Sequence, residues 1–316
     1  MINIQKQLQL TTTDMAKNKY YWSEMNLTPC GRDGSQGPSL EECLKCYSWS
    51  RIATKHMFDV KPDQLGIQII IIQTSGVYDI IAHGAGNQDK TGSGAIISGR
   101  FTLQKGDELM VAVGQKGSEG NYSCGSGGTF VVHKTEAELT PLLIAGGAGG
   151  DKYSSSRYRS NPSCNAQLQQ FGNGANEDEE NMNLGSSGTN YTDPYGEYFT
   201  GGAGFKSDPA TSNTQLANVN WQKLDPTKFN PKCFKNGMTG GINPYPDYQE
   251  RHQGGFGGGG YGCNGNGGGG GYTGGNGSKK FSSPGGGGGS YSADPSSDRQ
   301  LGWFEEGKCS IKLVEK

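Results

Sequence analysis

Eight cysteines and four histidines carry most of the reactive side chains in this 316-residue chain. Cys43-Leu-Lys-Cys46 has the spacing of a zinc half-site or of a redox pair. A zinc centre needs a second half-site, whereas Cys30, Cys124, Cys164, Cys233, Cys263 and Cys309 are isolated and His56 is the one histidine nearby. A redox pair wants a strand-to-helix setting, which this stretch does not display. His83, His133 and His252 fall in or beside predicted strands and glycine loops without a paired nucleophile, so structural roles are expected of them. Residues 177–180, Glu-Asp-Glu-Glu, read as a solvated loop because adjacent acids lack the spaced ligands of a calcium loop. No catalytic group, metal or cofactor is expected.

Glycine is the other feature with chemical meaning. Residues 254–289 contain 21 glycines in 36 positions, interrupted by single aromatics, Cys263 and a few polar residues. A phosphate-binding loop would need a strand before it, a helix after it and a cationic partner, whereas these glycines run on for tens of residues. There is no Gly-Lys-Ser or Gly-Lys-Thr ending, and no catalytic-loop or metal-binding motif of a kinase. A run of this kind either stays disordered or orders as an extended helix of three residues per turn, whose backbones approach closely because no side chains intervene. Collagen is excluded by 13 prolines in the whole chain. Ordering is expected, because both flanks read as strands of one sheet.

Those strands form the scaffold. Residues 65–74, 77–82, 95–103, 108–114, 128–133 and 141–145 are short β-branched or apolar runs separated by glycine-containing turns, and 302–314 reads as a further strand. No long amphipathic helix lies between them, so an antiparallel β sandwich or jelly roll is predicted. The polar stretch 151–253 and the glycine-rich run then form an insertion anchored at both ends.

A formal net charge of -2 leaves no electrostatic footprint for nucleic acid or an anionic membrane. No run approaches the roughly 18 apolar residues of a spanning helix, and the first twenty residues lack the apolar core of a signal peptide. The even cysteine count suits disulfides in an oxidising compartment, with a reduced intracellular chain as the alternative. N-glycosylation acceptor motifs stand at Asn26, Asn121, Asn190 and Asn276.

Six pieces occur in one order: Trp22 with 30–43 (Cys-Gly-Arg-Asp-Gly through Glu-Cys), 76–86, 107–117, 128–132, 141–150, and the glycine runs around Phe256, Cys263 and Tyr272. Together they resemble the glycine-rich ectodomain region of the anaplastic lymphoma kinase and leukocyte tyrosine kinase receptors, from Trp22 to the C-terminus. That resemblance implies a mainly β fold, a tumour-necrosis-factor-like jelly roll built from 22–150 and 300–316. It also implies an inserted bundle of polyglycine helices within 151–299, with residues 1–21 as a tail. It further implies the disulfides Cys30–Cys43 and Cys233–Cys263. Cys46–Cys309 and Cys124–Cys164 are the expected remaining pairs, although Cys46 and Cys309 look additional to the family pattern and the Cys124 loop lacks its close partner.

The function so implied is a non-catalytic extracellular or cell-surface recognition module that binds a protein ligand or a second copy, without a small-molecule substrate. A structural or adhesive glycine-rich surface protein is the alternative. Phe256, Tyr261 and Tyr272 are expected either as partner contacts or as packing against the glycine segments.

Overall fold

A computed structural model describes residues 24–47, 58–60, 66–118, 123–151, 161–173, 184–192, 198–209, 228–243, 252–262, 265–279 and 283–316. In chain order the elements are β1 (Glu24–Leu27), α1 (Leu40–Cys46), β2 (Phe58–Val60), β3 (Ile67–Ile71), β4 (Gly76–His83), β5 (Gly94–Leu103) and β6 (Glu108–Ala112). They continue with β7 (Thr129–Lys134), β8 (Leu139–Ala145), β9 (Tyr191–Thr192), β10 (Tyr198–Phe199), β11 (Tyr291–Ser292), β12 (Arg299–Trp303) and β13 (Lys308–Glu315). Among the described residues no helix is long and apolar enough to cross a membrane. Trp22, His56, Asn121, residues 177–180 and Cys263 lie outside the described residues.

The fold is mainly β, with two antiparallel sheets. One has the order β1-β13-β4-β5-β12 and the other β11-β8-β7-β6-β3-β2, while β9 and β10 pair separately. The inner faces meet in a core that includes Tyr78, Ile80 and Ile97 from the first sheet and Ile70, Leu109, Val111, Val131 and Leu143 from the second. Successive side chains of a strand point to opposite faces, and here both faces of the second sheet are covered. Ile67, Ile69, Met110, Phe130, Val132 and Ile144 form a separate core with Phe234, Met238, Phe256 and Tyr272. This double burial is why β3 reads as a continuous apolar run and not as an alternating one.

Two sequence expectations are corrected by the topology. The runs on either side of Ser75-Gly76 are consecutive, yet β3 and β4 lie in opposite sheets; the same holds for β5 and β6 on either side of the 105–107 turn. The predicted single strand at 302–314 is a pair, β12 and β13, broken at 304–307. Arg299–Trp303 pairs with β5 and Tyr291–Ser292 with β8, so sheet strands begin inside the stretch expected to be insertion.

The glycine-rich segments are ordered against the ends of these strands. Along 267–272 the backbone N–H groups donate in a strict period of three. Gly267 and Gly270 bond Ser123 and Ser126, Gly268 and Gly271 bond Thr200 and Ala203, and Gly269 and Tyr272 bond Gly286 and Gly289. Each partner chain also advances by three residues. The next run keeps the period of three against a partner running in the opposite direction, Gly285 and Gly288 donating to Gly150 and Gly147. Residues 265–278 and 285–290 are all buried, so these bonds satisfy backbone groups that water cannot reach. The absent side chains are a steric necessity: a Cβ on Gly125 would meet the carbonyl oxygen of Gly268, and one on Gly286 that of Asn173.

Candidate functional site

Where the strand ends meet the glycine array, a cleft of about 720 Å³ opens between segments that are remote in sequence. The turn after β1 supplies Arg32, Asp33 and Gly34, α1 supplies Glu42, the end of β6 leads to Lys116 and Ser118, and Gln253 and Glu306 complete it. Local chemistry explains each placement. Ser39 caps α1 in a reciprocal capping box with Glu42, whose carboxylate accepts the Ser39 N–H at 2.7 Å. That bond, with help from Arg32, holds the Glu42 carboxyl below the usual carboxylate range. Arg32 pairs with Glu42 at 2.9 Å. Gln253 clasps the opposite wall: its N–H donates to Ser118 Oγ at 2.6 Å and its Oε1 accepts from Ser35 Oγ at 2.9 Å.

The electrostatics are uneven. Two cations, Arg32 and Lys116, face three carboxylates, Asp33, Glu42 and Glu306. Glu306 accepts the Lys116 backbone N–H at 2.8 Å, while the Lys116 Nζ leans to Glu305 at 3.4 Å. Burial first, then repulsion from Asp33 and Glu305, pushes the Glu306 carboxyl upward. The cleft therefore holds an excess of negative charge that its own cations do not neutralise.

Behind the 31–34 turn stands a cluster of thiols. Cys43 and Cys46 lie one helical turn apart on α1, and Cys30 reaches them from a left-handed backbone conformation (φ 56°). Thr28 Oγ1 lies 4.0 Å from the Cys30 sulfur and 3.8 Å from that of Cys46. Interaction with the Cys43 thiol, with smaller contributions from Tyr47, Cys46 and Thr28, lowers the Cys30 pKa to about 6 against the opposing effect of burial. The same interaction pushes the Cys43 thiol strongly upward, and burial raises Cys46 to about 11.

All seven described cysteines carry free thiols. The implied Cys30–Cys43 disulfide is not formed in this structure. The expected Cys46–Cys309 pair is not formed: Cys309 lies inside the sheet sandwich, where burial alone raises it to about 12. Cys124 and Cys164 are not joined either. The Cys124 sulfur faces Ser118 Oγ at 3.8 Å and the Gly262 N–H at 3.3 Å, whereas the Cys164 thiol donates to the Asn161 carbonyl at 3.2 Å. Cys233 N–H donates to Asp208 at 2.7 Å, and the pairing expected for it with Cys263 lies outside the described residues.

The aromatics weighed as partner contacts are interior. Phe256 is 0 %, Tyr261 1 % and Tyr272 8 % exposed. The Phe256 ring covers Gly37 and Gly66, and Tyr272 stacks on Tyr291 with centroids 4.7 Å apart. Buried in this way, they pack inside the chain among the glycine segments.

Among the acceptor asparagines, Asn190 and Asn276 are buried and accept N–H bonds from Gly201 and Thr189 through their side chains, so they cannot carry a glycan in this fold. Asn26 is exposed on β1. Of the described histidines, His83 is lowered to about 4 by burial and then the charge of Lys308, His133 meets Asp107 at 3.5 Å, and His252 is buried.

Sequence reasoning missed the charged cleft. Its only sequence signals were the glycines flanking Arg32-Asp33 and the acidic pair before Gly307. No model of a known protein family matches the chain.

Proposed function

We propose that this chain is a non-catalytic extracellular recognition module, similar to the ligand-binding ectodomain region of the anaplastic lymphoma kinase and leukocyte tyrosine kinase receptors. In this reading the two sheets form a tumour-necrosis-factor-like jelly roll, and the glycine segments are polyglycine helices of the three-residue type. The observation that carries the proposal is the period-three bonding of 267–272 to three different neighbouring segments. Such an array orders few rotamers, and at its start the Phe256 N–H donates to Gly34 and Gln253 accepts from the Ser118 N–H, which ties the turns around the cleft to it before a partner arrives. Preorganisation of this kind spares binding the entropy of ordering the surface.

The cleft is then the docking place for a protein ligand. Its unneutralised carboxylates suit a basic side chain, which would relieve the repulsion among Asp33, Glu305 and Glu306. The order of motifs from Cys30 to Tyr272 supports the family likeness, and the exposed acceptor at Asn26 suits passage through a secretory route.

The test is to display the full chain and screen it against a library of secreted proteins, scoring each binder again on Glu306→Gln and on Lys105→Ala, a substitution in the β5–β6 turn. The proposal expects a soluble partner whose affinity falls at least tenfold with Glu306→Gln and is unchanged with Lys105→Ala. Copies of the chain that associate only with one another, indifferent to Glu306→Gln, would instead support a structural or adhesive role.

A further inference from the structure

We propose that Cys30, Cys43 and Cys46 form a three-thiol exchange site. Cys30 reacts with a small disulfide of the glutathione type, and Cys43 and Cys46 are alternative partners that resolve the adduct. The geometry is a cluster and not a lone cysteine. Cys30 is half-buried on the turn after β1, Cys43 is fully buried on α1, and Cys46 is half-buried one turn further on. Thr28 Oγ1 sits within 4.0 Å of the sulfurs of both Cys30 and Cys46, so those two share one hydroxyl neighbour. The Cys30 thiol donates to the Thr28 carbonyl at 3.7 Å, and Cys43 is the group that acts most strongly on it.

The chemistry divides the roles. A thiolate is the attacking species in exchange, and one whose pKa lies near the ambient pH is the most effective. Cys30, lowered to about 6, is that group. Cys43 and Cys46 keep their protons at neutral pH. In the first step the Cys30 thiolate attacks one sulfur of the small disulfide; a Cys30 mixed disulfide forms and one small thiolate leaves. In the second step the Cys43 or Cys46 sulfur attacks the Cys30 sulfur, expelling the second small thiolate, which takes the proton that the attacking thiol gives up. One small disulfide is reduced to two thiols, and one intrachain disulfide is gained. Because Cys30 is common to both products, the remaining thiol can displace its neighbour, and the pairing exchanges between 30–43 and 30–46. The inference requires neither the cleft's ligand nor the family likeness.

The experiment is direct because trypsin cleaves after Arg32 and Lys45, placing each cysteine on its own peptide. The reduced full chain is incubated with oxidised glutathione at pH 7, quenched in acid, alkylated, digested and analysed by mass spectrometry. Glutathione is expected first on Cys30, followed by both Cys30–Cys43 and Cys30–Cys46 peptides. Cys46→Ser keeps only the 30–43 product. In Cys30→Ser, modification of Cys43 and Cys46 falls at least tenfold. Oxidation of Cys43 and Cys46 in Cys30→Ser as fast as the two disulfides form in the wild type would overturn the proposal. A measurement on the unsubstituted chain guards against misfolding of the variants: the rate of Cys30 alkylation by iodoacetamide is followed against pH. The groups facing Cys30 there are Cys43, Cys46 and Tyr47. A midpoint near 6 is expected, and one in the ordinary thiol range of roughly 8.5 contradicts the assigned role.

Discussion

Glu306 is a carboxylate held where its charge is least comfortable, half-buried and facing Asp33 and Glu305. Its folded pKa lies above the unfolded value, so the charged form costs stability. That cost is absent below the unfolded carboxyl range near 4.3 and grows as pH rises through the folded pKa. Glu306→Gln keeps the acceptor for the Lys116 N–H and removes the charge. It should raise the melting temperature at pH 7 and leave it unchanged below pH 4; a loss of stability at pH 7 would contradict this electrostatic account. The glycines make the opposite case, where a single added atom is ruinous. A Cβ on Gly270 would strike the Gly257 carbonyl oxygen, backbone against backbone, with no flexible side chain to yield. Gly270→Ala should cost at least the roughly 1–3 kcal/mol of ordinary overpacking. Gly106, left-handed at φ 99° with open space around its Cβ direction, is the control. Asparagine tolerates such a turn conformation, and Gly106→Asn should stay within about 1 kcal/mol of the parent in denaturant unfolding.

At the level of elements, α1 is too short to be stable alone and is held, through its C-cap Tyr47, by contacts to the turn after β1 and to β3. The Tyr47 hydroxyl accepts the Thr28 N–H at 2.9 Å and lies 2.9 Å from Gln68 Oε1, a fully buried side chain of β3. Tyr47→Phe leaves the Thr28 N–H and Gln68 short of a partner and should cost about 1–3 kcal/mol; an unchanged unfolding midpoint would mean that the helix is anchored otherwise. Much of this level was legible in the sequence. The β-branched run at 67–71 and the apolar runs at 76–83 and 94–103 each announce a strand, because strand character is local. Which sheet a strand joins is not local: Ser75-Gly76 looks like a hairpin turn, yet β4 pairs with β13, more than two hundred residues away. Phe256, Tyr261 and Tyr272 were ambiguous for a related reason. An aromatic among glycines is a partner contact or a space-filler depending on what surrounds the glycines, and the surroundings come from other segments. The cleft was illegible because Arg32, Lys116, Gln253 and Glu306 share no spacing; only the fold brings them together.

On the scale of the molecule, backbone hydrogen bonding through the glycine array links both sheets. Gly147 bonds Gly270 just beyond β8, Gly128 bonds Gly257 just before β7, and Ala85 bonds Gly127 just beyond β4. A chain that is poor in apolar residues thereby gains an interior made of peptide groups, bound by shape and hydrogen bonds where most domains use side chains. Such an interior stays dry and rigid only if its bonds form together, since each glycine loses more backbone entropy on ordering than any other residue. Hydrogen exchange of the native full chain tests this most directly, read on peptides covering 265–279 and 283–290 beside those of β4 and β5. The account predicts that the glycine amides exchange as slowly as the central strands and are released with them in one cooperative transition. Exchange of those amides at the rate of unprotected peptide, while β4 and β5 remain protected, would contradict it.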